Sequence, residues 1–272
     1  MTSTTFQMRP SRVLSKLRAG EVVSCFKTNL ADGRASEIAA MFDFDCIWTC
    51  VEHIANDWSV IEQQVWATKT QNTDLMVRVS RGGYSDYIRP LELDASGIMV
   101  PHVMSLEDAK RVVRMTRFQP VGRRPLDGGN ADGAYCNIDA VEYTRQANEQ
   151  RFVCIQIEDP EPLDELEAIA SLEGIDIILF GPGDFAHGIG ALGEPGHPRI
   201  AETRKRVAEV CRAKGKFAGA VGTPANLEEL IGLGFRFINI GADVVGLSQY
   251  CKGLAADFER ITSSMKKTDS SR

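Results

Sequence analysis

The chain has 272 residues, of which 43% are hydrophobic and 25% charged, with a formal net charge of −6 and an isoelectric point near 5.4. That balance suits one large globular core, and it offers no basic field for a phosphate backbone or an anionic membrane. The opening MTSTTFQMRPSRVLSKLRAG contains no continuous apolar run, and no later stretch reaches the roughly 18 to 20 apolar residues of a membrane span, so the expectation is a cytoplasmic protein. The seven cysteines (Cys25, Cys46, Cys50, Cys136, Cys154, Cys211, Cys251) include no CxxC pair, and several fall inside apolar runs. They read as buried reduced thiols rather than disulfides or a zinc site.

In chain order, short β-branched or apolar runs alternate with longer amphipathic stretches. An opening helix, SRVLSKLRAG, precedes the first run and is placed to plug a barrel floor. The runs EVVSCFKTN, DCIWTCV, LMVRVS, GIMVPHV, FVCIQIE, IDIILFG, FAGAVG and FRFINIG read as eight strands. Between and after them, ASEIAAMFDF, WSVIEQQVWATKT, YSDYIRPLELD, SLEDAKRVVRMTR, IDAVEYTRQANEQ, LDELEAIASLE, IAETRKRVAEVCRAKG and NLEELIGLGF carry apolar residues at helical spacing. Start signals mark three of them: Ser105 with Asp108, Pro160 with Pro162, and Asn226 with Glu229. A last helix spans Asp243 to Met265, with a frayed KKTDSSR end. Strands followed by helices close as a single α/β domain over residues 1–272, a (β/α)8 TIM barrel of the usual size of about 250 residues. No Gly-rich dinucleotide turn favours an open doubly wound sheet. One stretch breaks the alternation, FQPVGRRPLDGGNADGAYCN from Phe118 to Asn137, and its length leads us to expect a lid over the active-site mouth.

Catalytic groups in such barrels sit at the C-terminal ends of strands. Glu52 and His53 close the second run, Arg78 lies in the third, Gln156 and Glu158 close the fifth, and the sixth runs into Gly181-Pro182-Gly183-Asp184. Neighbouring strands lie about 4.8 Å apart, so Glu158 and Asp184 can converge on one hard cation such as Mg2+ or Mn2+, with Co2+ a further option. The alternative is that each acidic residue caps a following helix, and spacing alone does not choose. Gln156 points to the same side as Glu158, one layer deeper, toward a bound water or substrate oxygen or simply a polar layer of the barrel. The Gly183 and Asp184 amides open toward a substrate carboxylate if they begin a helix. Arg78 either meets an anion inside the barrel or pairs outward with a helix glutamate. His53 is a candidate acid–base group or an incidental polar residue, and His102, His187 and His197 are weaker candidates.

FDFDCIWTCVEH, MVRV, GIMVPHV, AKRVVRMTRFQPVGRR, CIQIED, GIDIILFGPGDFA and GHP follow one another in an order that resembles the HpcH/HpaI aldolases, metal-dependent pyruvate aldolases typified by 4-hydroxy-2-oxoheptanedioate aldolase. The match runs from about Ser11 to Phe258. The resemblance implies that Glu158 and Asp184 hold the metal with Gln156 beside it. It further implies that Arg78 stabilises an enolate, that His53 serves in acid–base steps, and that the Gly183 and Asp184 amides take the pyruvate carboxylate. It also implies a homo-oligomer, a trimer-based hexamer, with the final helix on a neighbouring subunit and Glu92 at the place of an acidic residue that reaches a neighbour's site. The chain departs from the family where Cys50-Val51-Glu52-His53 stands for Asp-Gly-Glu-His and Arg124-Pro125 for Arg-Gly.

The function expected is a class II aldolase that reversibly cleaves a 4-hydroxy-2-oxo acid to pyruvate, or a similar 2-oxo acid, and an aldehyde. Three rivals stand beside it. One is a Schiff-base aldolase through Lys27, the only lysine in a barrel strand. Another is a lyase for thioesters, which the lack of a basic coenzyme A tract disfavours. The last is an oxo-acid-binding homologue whose catalysis is altered at Cys50.

Overall fold

A computed structural model describes residues 6–269. Eight parallel strands, β1 (Val23–Lys27), β2 (Cys46–Cys50), β3 (Asp74–Arg78), β4 (Gly97–Val100), β5 (Phe152–Ile157), β6 (Ile177–Phe180), β7 (Phe217–Gly222) and β8 (Phe235–Ala242), pair in sequence order and close through β8 onto β1. The expected TIM barrel is therefore the fold, and all eight strand runs fall where the sequence places them.

Around it lie α1 (Arg12–Arg18), α2 (Gly33–Met41), α3 (Trp58–Thr70), α4 (Tyr84–Glu92), α5 (Leu106–Thr116), α6 (Ala140–Gln150), α7 (Leu166–Ala170), α8 (Pro182–Gly188), α9 (Pro198–Ala213), α10 (Leu227–Leu233) and α11 (Asp243–Asp269). No described helix is long and apolar enough to cross a membrane. Ser105 caps α5 as its spacing suggests, accepting from the Asp108 N–H at 3.2 Å. Asn226 instead turns its side chain back to the Thr223 N–H at 2.7 Å. Pro160 and Pro162 produce a 3-10 turn over Glu161–Glu165 before α7, so the stretch expected as one long helix is split in two. The final helix continues through Lys266 to Asp269, further than expected, while Ser270 to Arg272 lie outside the described residues.

Strand alternation divides the core in two. Outward-facing residues such as Ile47, Leu75, Ile98, Ile155 and Ile178 pack against the helices. Inward-facing Cys25, Cys46, Trp48, Met76, Met99, Cys154, Leu179 and Phe237 fill the barrel, with Val13, Leu14 and Leu17 of α1 inserted from below as the expected plug. Within this layer Gly97 faces Phe152, whose ring would lie 2.3 Å from a Cβ at position 97, so the small residue makes room for the large one.

The N-terminal end of the barrel, its floor, is closed by ion pairs. Asp45, just before β2, takes Arg12 at 2.7 Å, Lys16 at 2.9 Å and the Ser24 N–H at 2.9 Å. Asp74, which opens β3, takes Arg9, Ser11 Oγ and the Val13 N–H. Arg151, just before β5, forks onto Asp132, and Arg117 meets Asp176.

Asp132 belongs to the long stretch from Phe118 to Asn137, and here the structure corrects the sequence reading. The expected lid over the mouth lies on the floor instead. Its Ala131 and Asp132 amides donate to Asp94, Asp132 binds Arg151, and Arg124 binds Glu92 at 2.8 Å. The stretch leaves the C-terminal end of α5 and leads through α6 into β5, so it belongs to the end of the barrel where strands begin.

Candidate active site

Toward the C-terminal ends of the strands the interior turns polar: Lys27 closes β1, Cys50 β2 and Arg78 β3, while Gln156 and Asn239 rise from β5 and β8. Arg78 is 5% exposed, and its guanidinium lies 5.1 Å from the centre of the Trp48 ring. Its Nε donates to Cys50 Sγ at 3.3 Å and ion-pairs with Glu52 Oε2 at 3.0 Å. Nη2 is buried without a partner, so the arginine is fixed on one side and free on the other.

Glu158 follows β5 and is 1% exposed. Oε1 accepts the His102 N–H at 2.9 Å and Oε2 the Gln156 side-chain amide at 2.8 Å. Burial, together with the negative charge of Asp184, outweighs these contacts and pushes its carboxyl up to about 7. Asp184 is the third residue of α8 and exposed, and that helix has no side-chain cap, so the structure gives Asp184 no capping role. Glu158 likewise caps nothing, because its oxygens accept from Gln156 on its own strand and from the His102 N–H beyond neighbouring β4 rather than from the next turn. The Gln156 Oε1 is buried and unpartnered. Gly181 lets the end of β6 approach this cluster, since a Cβ there would lie 2.7 Å from Glu158 Oε2. Gly183 opens onto free space at the start of α8.

The two histidines differ. His53 carries a ring that is 57% exposed and lies 3.6 Å from Glu52 Oε2. Its backbone N–H donates to Cys50 Sγ at 3.4 Å, so the thiol that replaces the family's aspartate holds the turn and leaves the ring unoriented. His102 stands at φ 48°, a left-handed conformation unusual outside glycine and typical of constrained sites. Its Nδ1 is 2.8 Å from Asp159 Oδ2, while Nε2 faces Glu158 Oε1 at 3.8 Å and Glu52 Oε1 at 4.0 Å. Burial works against protonation of this ring, but the Asp159 hydrogen bond and the surrounding carboxylates prevail and raise its pKa.

The structure thus gathers Arg78, Gln156, Glu158 and Asp184 at one mouth and sets His53 at its rim. Sequence reasoning ranked His102 below His53 and did not foresee Asp159 as its partner or Glu52 as the partner of Arg78. The position of His102 at the end of GIMVPHV was the available signal, but its backbone conformation was not readable. Among the described residues, no group of three or more His, Cys, Asp or Glu side chains forms a ready metal cage.

Fold and mouth together define a (β/α)8 barrel with a polar, partly unpartnered cluster at the C-terminal ends of its strands. The chain belongs to the HpcH/HpaI aldolase/citrate lyase family, whose model matches residues 28–249, which places it among carbon–carbon lyases. It is 31% identical to a hydroxypyruvate/pyruvate aldolase of Pseudomonas aeruginosa over 250 residues, 92% of this chain and 93% of the other. It is 30% identical to a 2-keto-3-deoxy-L-rhamnonate aldolase of Salmonella gallinarum over 234 residues, covering 84% and 85% of the two chains. The crystal structure of an HpcH/HpaI aldolase from Desulfitobacterium hafniense superposes with a TM-score of 0.84 at 25% identity, over 89% of this chain and 95% of that one.

Proposed function

We propose that the barrel mouth reversibly cleaves a 4-hydroxy-2-oxo acid to pyruvate, or a close 2-oxo acid, and an aldehyde, with a divalent cation such as Mg2+ or Mn2+ held by Glu158 and Asp184. The observation that carries this reading is the buried Glu158: its hydrogen-bond partners are two uncharged amides, the one ring cation facing it, His102, stands 3.8 Å from Oε1, and burial together with the negative charge of Asp184 still pushes its carboxyl up to about 7. Hard oxygen donors of this kind fit Mg2+ or Mn2+ better than a soft metal. When bound, the cation supplies Lewis-acid polarisation of the 2-oxo group.

The chain's own residues account for the rest. Arg78, clamped through Nε, turns its free Nη2 toward the oxygen on which negative charge grows as the C3–C4 bond breaks. The electron pair of that bond moves to C3 and C2 as an enolate, the C4 hydroxyl loses its proton, and the aldehyde leaves. Protonation at C3 then yields pyruvate. Gln156 Oε1 is free to accept from a water or substrate hydroxyl, and the Gly183 and Asp184 amides border the place for the pyruvate carboxylate. His53 takes the C4 proton in this scheme. His102 is the second candidate for that step, because its ring is oriented by Asp159 and the His53 ring is not. Comparing His53→Ala with His102→Ala in pyruvate methyl-proton exchange and in aldol cleavage separates them: the variant that loses cleavage by about 100-fold or more held the proton.

A trimer-based hexamer, as the resemblance implies, is supported by α11, whose Leu247, Tyr250, Leu254, Phe258, Ile261 and Met265 form an exposed apolar stripe at helical spacing. Light scattering of the purified protein tests it, and a monomer at micromolar concentration refutes it.

Activity is tested by pyruvate release from a panel of 4-hydroxy-2-oxo acids with metal added or removed by EDTA. Undiminished metal-dependent turnover in Glu158→Ala overturns the ligand assignment.

A further inference from the structure

On the outer wall, where α5 ends and the chain turns toward α6, a hollow of about 490 Å3 lies between α5, residues 119–123 and the turn that leads from α7 into β6. Its cations are Lys110 and Arg114 on α5 and Arg123 on the facing loop, all three exposed. The Arg123 N–H donates to the Arg114 carbonyl at 2.7 Å, so the two arginines spring from touching backbone. Two glycines permit this close approach: a Cβ at Gly122 would lie 2.3 Å from the Arg117 carbonyl oxygen, and one at Gly174 would lie 2.9 Å from Val113 Cγ1 and from Val121 Cγ1. Pro120, Val121 and Leu172 give the hollow an apolar wall, and Glu173 is the one carboxylate of its lining. Lys216 adds positive charge from behind that wall, because its Nζ donates to the Leu172 carbonyl at 2.7 Å.

The arginines next to these in sequence show how the chain treats a cation that serves the fold. Arg117 has Asp176 and Arg124 has Glu92, whereas Arg114 and Arg123 have no ion pair among the described residues, and Lys110 reaches only Glu107, at 3.6 Å along its own helix. With 37 acidic residues against 31 basic ones, carboxylates were not scarce. Solvation accounts for one exposed arginine, and Arg114 in the last turn of α5 also suits the helix dipole. Neither accounts for two unpaired guanidiniums and a lysine lining one concave, partly apolar space. We propose that this hollow is a second ligand site, apart from the barrel mouth, for a phosphorylated sugar, free or within a nucleotide. The phosphate lies between Arg114 and Arg123, whose planar forks match phosphate oxygens two at a time. Glu173 accepts from the sugar hydroxyls, and the carbon face rests on Pro120, Val121 and Leu172. The volume falls within the range of about 300–1,000 Å3 usual for small-molecule sites. None of the mouth residues takes part, so the site stands independently of the lyase reading.

The test uses the full-length protein in EDTA, so that no cation at the mouth can hold a phosphate. Ribose 5-phosphate, ADP and inorganic phosphate are titrated by calorimetry into the wild type, into the double variant Arg114→Gln, Arg123→Gln, and into Glu158→Ala. The wild type is expected to bind at least one of the two esters about 10-fold or more tightly than inorganic phosphate, and the double variant to weaken that binding by about 10-fold or more, the size of one charge-assisted hydrogen bond. Equal affinity for the two esters identifies the sugar phosphate as what is recognised, and tighter ADP identifies the nucleotide. Glu158→Ala should bind as the wild type does. No binding of any of the three at millimolar concentration, inorganic phosphate held as tightly as the esters, or an affinity that the double variant leaves unmoved overturns the site. Binding that disappears in Glu158→Ala places the ligand at the mouth and overturns it as well.

Discussion

At the floor of the barrel, Asp45, Asp74, Asp132 and Asp176 each meet a cation and, in most cases, a backbone N–H as well. At the mouth, a few residues further along the same strands, Arg78 keeps one nitrogen unpartnered, Gln156 one oxygen, and Glu158, which feels the negative charge of Asp184, has among the described residues only the His102 ring, at 3.8 Å, as a cationic neighbour within 4 Å. Both ends bury charge, most of it at the floor, where Asp45, Asp74, Asp132, Arg117 and Arg151 are buried, against Arg78 and Glu158 at the mouth. The floor satisfies its charges from within the chain, which favours folding, and the mouth leaves them open, which favours a ligand. The pKa directions mirror this. Burial raises the carboxyls of Asp45 and Asp132, but Ser24, Lys16 and Arg12 around the first and Arg151 around the second more than reverse it, so both lie below the ordinary carboxylate range. Glu158 lies above it.

The strongest challenge to the contrast is Asp132→Ala. Removing it strands the fully buried Arg151 and is expected to lower unfolding stability by about 3–5 kcal/mol. A loss under about 1 kcal/mol in urea denaturation means that the floor is not the stabilising end. Next comes Glu158→Ala, for which metal-dependent pyruvate release should fall by about 10²- to 10³-fold, while the unfolding temperature in metal-free buffer at pH 8 does not drop. If stability falls and turnover does not, the roles of the two ends are reversed. Gly181→Ala forces Glu158 Oε2 aside and should weaken Mn2+ binding by about 10- to 100-fold in calorimetric titration; unchanged affinity argues against a cation at this carboxylate.

The smallest effect concerns pH. Glu158 has a folded-state pKa of about 7 against an ordinary 4.5, so its contribution to folding is present in acid and is lost as pH rises through 7. Glu158→Gln in metal-free buffer should therefore raise the melting temperature at pH 8 and leave it nearly unchanged at pH 5. Asp45 and Asp132 act in the opposite sense, contributing above the ordinary carboxylate range and losing that contribution as pH falls through their depressed values. A Glu158→Gln protein that gains at pH 5 rather than pH 8 contradicts the assigned sign.

Much of this was legible in the residues. Strand runs with β-branched alternation and a helix after each imply a closed barrel, and the polar residues that end the second, third, fifth and sixth runs do converge. The Phe118 to Asn137 stretch shows how composition misleads. Its Gly, Pro and Asn content identifies a long connection but not the end of the barrel it covers, and only its place between a helix and the next strand decides that. The setting of His102 was hidden because it depends on a left-handed φ and on Asp159, reached 57 residues away in sequence. The role of Cys50 as an acceptor for Arg78 Nε and the His53 amide was equally hidden, since a thiol in apolar sequence reads as packing.

The helix that stoppers the barrel from below has a kinetic corollary. With Val13, Leu14 and Leu17 wedged under an interior already filled by side chains, the polar cluster is approached from the C-terminal ends of the strands, and traffic through one such opening is last in, first out. In the proposed cleavage, the aldehyde half nearest the opening is expected to depart before an oxo acid seated against Glu158 and Gln156. In synthesis the oxo acid must be seated first, so the enzyme is expected to obey ordered rather than random kinetics.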